Sequence, residues 1–315
     1  MPVVEIENLT KDFAAGFWKK RPIRALDNLC LQVNQGEIFG FLGPNGAGKS
    51  TTIKLLMHLL HPTSGTARIL GQSVDTVSMH QSIGFLPENP YFYDYLTPKE
   101  LLTYVGRLFG IGQPALSKKV NTLIENVGLT EAQNLQLRKF SKGMVQRIGI
   151  AQALINDPQI VFLDEPMSGL DPLGRMDVRR IITSLKASGV TVFFSSHILP
   201  DVEAICDRVA ILNKGKLQEQ GALAEILKVK IEGHEVILSG WTDQTLNDIR
   251  NWCDEVRQMG DRLHLRVGDR ERMDGLLSYV FANKLDLISL NPIRPSLEEY
   301  FQSAVGSRQS AVGKE

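Results

Sequence analysis

Residues 43–51 read Gly-Pro-Asn-Gly-Ala-Gly-Lys-Ser-Thr, set between an apolar run at 37–42 and a stretch from Lys49 to Leu60 in which Ile53, Leu56, Leu59 and Leu60 recur at helical spacing. Strand, glycine-rich loop and helix in that order specify a phosphate-binding loop. Gly43, Gly46 and Gly48 let the backbone curl so that successive N–H groups point inward, and the helix N-terminus adds roughly half a positive charge. Lys49 is expected to reach the β and γ phosphates and Ser50 to ligate Mg²⁺, with Pro44, Asn45, Ala47 and Thr51 completing the contact surface. The segment calls for a nucleoside triphosphate, and it leaves the class of NTPase open, because many activities share it.

A second block of signals narrows the class. Phe140-Ser141-Lys142-Gly143-Met144 precedes a helical pattern through Val145, Ile148, Ala151 or Gln152, and Ile155, with Ser141 as the expected N-cap. The apolar strand 160–163 ends in Asp164-Glu165. Ser168-Gly169-Leu170-Asp171 follows, and after Val190 to Phe194 comes Ser195-Ser196-His197. By the order and spacing of these motifs, residues 1 to about 221 resemble the ATP-binding subunit of an ATP-binding-cassette (ABC) transporter, with a likeness to exporter-type, ABC-2-like, drug-resistance subunits. The resemblance implies an α/β P-loop NTPase with a RecA-like core and a helical subdomain at about 90–155.

It also implies roles. Asp164 is similar to the Walker B acid that holds Mg²⁺, a hard cation that takes oxygen ligands. Glu165 resembles the catalytic glutamate that polarises the attacking water, His197 the switch histidine that contacts the γ-phosphate, and Asp171 the loop residue that couples two sites across a dimer. Ser141 and Gly143 resemble the signature residues that bind the nucleotide of the opposite subunit, so two copies, or this copy and a paralogue, are expected to enclose two ATP molecules. Glu88 stands where the family usually has glutamine, as a possible ligand to Mg²⁺ or its water, and Phe13 resembles the ring that stacks on adenine, with Phe17 and Trp18 as rivals. The signature departs from the common LSGGQ at Lys142 and Met144. Lys142 either adds charge near the phosphate or points to solvent.

Charge is balanced, with 35 basic and 35 acidic residues, so nothing points to nucleic acid. Cys30, Cys206 and Cys253 lack disulfide or metal spacing and read as packed thiols of a reducing compartment. No apolar run approaches the ~18 residues needed to span a bilayer, and no signal peptide is read. The expected location is therefore cytoplasmic, peripheral on the cytoplasmic face of the cell membrane, with the integral-membrane permease a separate chain. His58 and His61 read as structural. Residues 97–135 read as mainly helical, with Leu101, Leu102, Val105, Leu108 and Phe109 on one face, and the aromatic run 91–96 is either core or a docking wall for a partner helix.

Beyond Gly221 a βαββαβ pattern over residues 222–305 suggests a small ferredoxin-like module, with a hairpin turned at Gly260-Asp261. Ser296 and Glu299 read as a capping box for a terminal helix, and 306–315 as a flexible tail. This second domain is expected to stabilise the dimer or tune its opening. The function these readings imply is ATP hydrolysis coupled to transport. The alternative is a non-transport ABC ATPase acting as a nucleotide-driven clamp or regulator on a soluble partner.

Overall fold

The computed structural model describes residues 1–15, 21–228 and 233–293. Phe17 and Trp18, the Ser296–Glu299 capping box with its helix, and residues 306–315 lie outside them. The chain divides into two compact units, residues 1–223 and 224–315.

In the first unit, β1 (Pro2–Ala15) and β2 (Arg21–Asn34) pair antiparallel and lead into β3 (Ile38–Leu42), the phosphate loop and α1 (Lys49–Leu56). Then come β4 (Ser64–Ile69), β5 (Gln72–Ser73), β6 (Ile83–Leu86), the helical segment α2 (Pro98–Leu108), α3 (Ala115–Asn126) and α4 (Lys142–Ala153), and β7 (Ile160–Leu163). The unit continues through α5 (Pro172–Ala187), β8 (Thr191–Ser196), α6 (Leu199–Ile205), β9 (Arg208–Asn213) and β10 (Lys216–Ala222), followed by α7 (Leu223–Lys228). Two sheets result, one in the order β2-β1-β4-β5 and one in the order β10-β9-β3-β8-β7-β6.

The second sheet is parallel from β9 to β6, and every residue of β3, β7 and β8 is buried. This is why these strands read as continuous apolar runs rather than alternating ones. At the centre of the core Phe193 lies 5.6 Å from Phe39, 5.4 Å from Phe41 and 5.4 Å from Phe162, ring to ring. Gly40 admits α6 at close range, since a Cβ there would stand 2.8 Å from Cys206 Sγ.

The structure corrects several expectations. α1 stops at Leu56 rather than Leu60, because His58 takes a left-handed φ of 53°, which leaves Leu59 exposed while Leu60 packs against the core. His58 Nε2 approaches His61 Nδ1 at 3.1 Å and Asp75 Oδ1 at 3.5 Å, and no group of three metal-ligating side chains occurs among the described residues. α2 begins with a capping box in which Thr97 Oγ1 accepts from Glu100 N and Glu100 Oε2 accepts from Thr97 N. Its Leu101 and Leu102 are buried and Gly106 makes room for Leu116, but Leu108 and Phe109 at its end are 70% and 45% exposed, because that last turn overruns its packing partners. Cys30 is exposed, not packed.

The second unit contains β11 (Gly233–Ser239), α8 (Asp243–Ile249), β12 (Glu255–Met259), β13 (Arg262–Val267), α9 (Arg270–Ala282) and β14 (Asp286–Ile293). Its sheet runs β12-β13-β11-β14 with all neighbours antiparallel, and Gly260 at φ 64° makes the β12–β13 turn. Val236, Leu238, Leu263, Leu265 and Val267 form one buried face of the sheet, closed by Met273, Leu276 and Val280 of α9.

Candidate functional site

Parallel strands bring the motifs together. Leu42 pairs with Ser196, Leu163 with Phe194 and Leu86 with Leu163, so the carboxyl ends of β3, β8, β7 and β6 share one edge. The phosphate loop, His197, Asp164-Glu165 and Glu88 all leave the sheet there, the edge at which open α/β sheets place their ligands. A cleft of about 480 Å³ forms at this edge, walled by residues 45–51 of the loop together with Ala25, Glu88, Glu165, Ser168 and His197.

The loop is built for anions. α1 has Gly48 as its N-cap, at φ 109°, with no side chain accepting from the first N–H groups, so these donors remain for a ligand. A side chain at Gly48 would be strained by that φ and would also bring a Cβ within 2.6 Å of the Ala25 carbonyl. Gly43 and Pro44 serve from behind the wall: their carbonyls accept from Lys49 Nζ at 2.7 and 3.3 Å.

Lys49, Glu165 and His197 form a continuous polar chain. Lys49 Nζ stands 3.1 Å from Glu165 Oε1, and Glu165 Oε2 stands 2.8 Å from His197 Nδ1. Both Lys49 and Glu165 are buried, where an ion pair is screened less than at the surface. Glu165 has φ 49°, a region that costs a non-glycine residue of order 1 kcal/mol or more. That turn separates the two adjacent acids. Asp164 points to Ser50, whose Oγ donates to Asp164 Oδ1 at 3.2 Å, while Glu165 points to Lys49 and His197. Ser50 and Asp164 therefore present neighbouring hard oxygen donors, a set that suits Mg²⁺.

Of the remaining candidates, Glu88 is on the cleft wall and the others are not. The Glu88 side chain is exposed, and its carbonyl accepts from Gln146 Nε2 at 3.4 Å, tying it to α4. Phe13 lies in β1 with Lys11 Nζ 5.2 Å above its ring, and it is not on the cleft wall. Ser141 caps α4 by accepting from Met144 N at 3.3 Å, and neither it nor Gly143 reaches the cleft of its own chain. Asp171 caps α5, accepting from Gly174 N at 3.0 Å. Lys142 is exposed, with its ammonium over Gly169, where a Cβ would collide with it. Sequence reasoning missed Ala25, Ser168, Gln146 and Ser195. Of these, Ser168 and Ser195 had a signal, as parts of the Ser168-Gly169-Leu170-Asp171 and Ser195-Ser196-His197 runs.

The family profile described as ABC transporter matches residues 26–168. Over 302 residues, 95% of this chain and 83% of the relative, the sequence is 47% identical to an ABC transporter ATP-binding protein of Synechocystis sp.. It is 36% identical over 313 residues, covering 96% of this chain and 97% of the relative, to the bacitracin transport ATP-binding protein BcrA of Bacillus licheniformis. A solved structure of the ATP-binding subunit of an ABC transporter matches with a TM-score of 0.62 at 29% identity, over 72% of this chain and 92% of that one. With relatives of this similarity along nearly its whole length, and with a phosphate loop, paired acids and histidine converging on one sheet edge, the chain belongs to the ABC transporter ATP-binding protein family.

Proposed function

We propose that this ATPase is the energy-coupling subunit of an exporter: two cassettes close on two Mg-ATP, hydrolysis reopens them, and a separate integral-membrane permease follows the cycle. The observation that carries the proposal is the Glu165 carboxylate, buried at the sheet edge and held by Lys49 on one oxygen and His197 on the other.

The loop N–H groups and Lys49 bind and neutralise phosphate oxygens. Ser50 and Asp164 would hold Mg²⁺, which when bound would offset the developing charge on the transferred phosphoryl group. Glu165, a carboxylate in hydrogen-bond reach of His197, orients the attacking water and accepts its proton, while His197 fixes the carboxylate rotamer and offers its other nitrogen to the γ-phosphate. Glu88 lines the same cleft, where its carboxylate would serve as a ligand to Mg²⁺ or its water. Phe13 is the candidate adenine platform. Ser141 and Gly143 lie off the cleft, which supports their serving the site of the opposite copy, with Asp171 facing that copy.

The relatives support transport over a soluble clamp. One is named for bacitracin transport, and another, 30% identical over 314 residues, is the linearmycin resistance protein LnrL of Bacillus subtilis. No helix among the described residues is long and apolar enough to cross a membrane, consistent with a peripheral subunit on the cytoplasmic face served by a separate permease. Tyr91, Tyr93 and Tyr95 are 92%, 52% and 59% exposed, which favours a docking wall over core packing. The test is ATP hydrolysis by the purified chain: phosphate release that stops on Mg²⁺ chelation while ATP still binds supports the reading, and an absence of Mg²⁺-dependent release contradicts it.

A further inference from the structure

The ladder between β1 and β2 carries an extra residue beside the cleft. Lys11 pairs with Leu26 and Asp12 with Arg24, which leaves Ala25 on β2 without an opposite residue on β1. A bulge of this kind bends its strand, re-aims what the strand carries, and recurs next to active sites. Here it sets Ala25 into the cleft wall, with its carbonyl so near Gly48, the N-cap of α1, that a Cβ on that glycine would come within 2.6 Å of it.

The β9–β10 turn closes on the same peptide. Lys214 and Gly215 take φ 48° and 77°, the left-handed pair of a tight hairpin turn, and a Cβ on Gly215 would stand 2.7 Å from the Ala25 carbonyl. Gly215 N–H donates to the Ala47 carbonyl of the phosphate loop, and the Gly215 carbonyl accepts from Asp27 N–H, both at 2.9 Å. Main-chain bonds therefore run from β2 through this turn to the phosphate loop.

Charged side chains bracket the bulge. Arg24 grips Asp12 with two bonds, Nε to Oδ1 at 2.9 Å and Nη2 to Oδ2 at 3.1 Å, and its Nη1 donates to Asp27 Oδ1 at 3.0 Å. Asp27 Oδ2 meets Nζ of Lys216, the residue after the turn glycine, at 3.1 Å. An isolated surface ion pair adds little, but a bidentate arginine within a linked network holds a geometry. The network joins β1, β2 and β10 where β2 reaches the cleft, and Phe13, the candidate adenine platform, follows Asp12 directly.

We propose that Asp12, Arg24, Asp27 and Lys216 form a positioning clamp, which holds the Ala25 bulge and the Phe13 end of the β1–β2 ladder against the phosphate loop and so sets affinity for the nucleoside part of the nucleotide. The inference rests on the reading of this cleft as the ATP site with Phe13 as its platform. None of the four residues is on the cleft wall. They act through Ala25 on one side and the β9–β10 turn on the other.

The experiment compares the full chain with Asp27→Asn, Arg24→Gln, Lys216→Met, Lys216→Arg and the Arg24→Gln/Asp27→Asn double variant. It measures equilibrium ATP binding, KM and kcat for ATP, inhibition by inorganic tripolyphosphate, and the urea midpoint. Asp27→Asn, Arg24→Gln and Lys216→Met are expected to weaken ATP binding and raise KM about fivefold, with kcat and the tripolyphosphate inhibition constant within about twofold of the parent. Lys216→Arg keeps the cation and most of the affinity, and the double variant is no worse than the poorer single one, because both changes break one network. If Asp27→Asn does not fold, Lys216→Met carries the same expectation, since it leaves the Asp27 main-chain bond in place. Unchanged ATP affinity, an equal loss for tripolyphosphate, a loss that tracks the urea midpoint, or additive losses in the double variant would overturn the clamp. Lys49→Ala is measured alongside: if it binds ATP like the parent, the reading of the cleft fails and takes this inference with it, whereas a Lys49→Ala that no longer binds beside clamp variants of parental affinity overturns the clamp alone.

Discussion

Ser195 Oγ donates to Asp164 Oδ1 at 2.6 Å and in the same place accepts from the Glu165 backbone N–H at 2.8 Å. One buried hydroxyl thus orients the acid proposed to hold Mg²⁺ and satisfies the amide at the strained turn that aims the neighbouring acid. Both bonds lie in the interior, where an unmade donor costs about 1–3 kcal/mol. Ser195→Ala is expected to lower stability by that order in urea denaturation and to lower kcat about tenfold or more. A variant with native stability and native turnover would show that the hydroxyl orients nothing.

Glu88 presents its carboxylate at the cleft while its backbone is tied to α4 through Gln146. The backbone tie survives Glu88→Gln, and the amide keeps an oxygen for a metal-bound water. ATPase activity in this variant is expected to stay within a few-fold of the parent. A loss beyond about tenfold, equivalent to ~1.4 kcal/mol, assigns the charge a specific task.

The extent to which the sequence revealed this site follows from where each determinant lies. Lys49, Ser50, Asp164, Glu165 and His197 were readable because phosphate and metal chemistry demands particular residue types within short contiguous stretches. Their convergence needed only the rule that parallel strands end at a common edge. The left-handed turn at Glu165 and the Ser195 bridge were not readable, because they depend on which atoms lie opposite once β7 and β8 pair, strands whose contacting residues are some thirty apart in the chain. Periodicity also overran structure twice. Leu59 and Leu108 continue the helical stripes of α1 and α2, but one helix had already ended at Leu56 and the other had passed its packing partners. In the second unit the alternation in β11 and β13 was legible because one sheet face is buried, and the βαββαβ order followed.

The cysteines separate by burial. Cys30 is exposed, whereas burial pushes Cys206 well above the ordinary thiol range and Cys253 up to about 11. Since the thiolate is the reactive form, one thiol per chain is expected to react readily with an aromatic disulfide reagent in the native protein, and the other two only on unfolding. Mass mapping of the labelled site checks this. Early labelling of Cys206 would mean that α6 opens locally.

Tyr93 lies 5.8 Å from Tyr95 and 6.4 Å from Tyr104, ring to ring, and all three are exposed. Tyr93→Ala and Tyr95→Ala are expected to leave the isolated subunit's ATPase and melting temperature nearly unchanged while weakening its recovery with the membrane fraction of cells that express the permease. Loss of stability with membrane recovery intact would make the rings structural and move the docking surface elsewhere.

Glu165 is the group proposed to activate water, and Glu165→Gln tests that role because the amide keeps the shape and one acceptor oxygen while removing the charge. The decisive measurement is single-turnover phosphate release by this variant, alongside its equilibrium ATP affinity. ATP binding is expected to stay within about threefold of the parent while hydrolysis slows by at least about 10²-fold. Hydrolysis at the parent rate with ATP fully bound would contradict the assignment of Glu165 as the water-activating group.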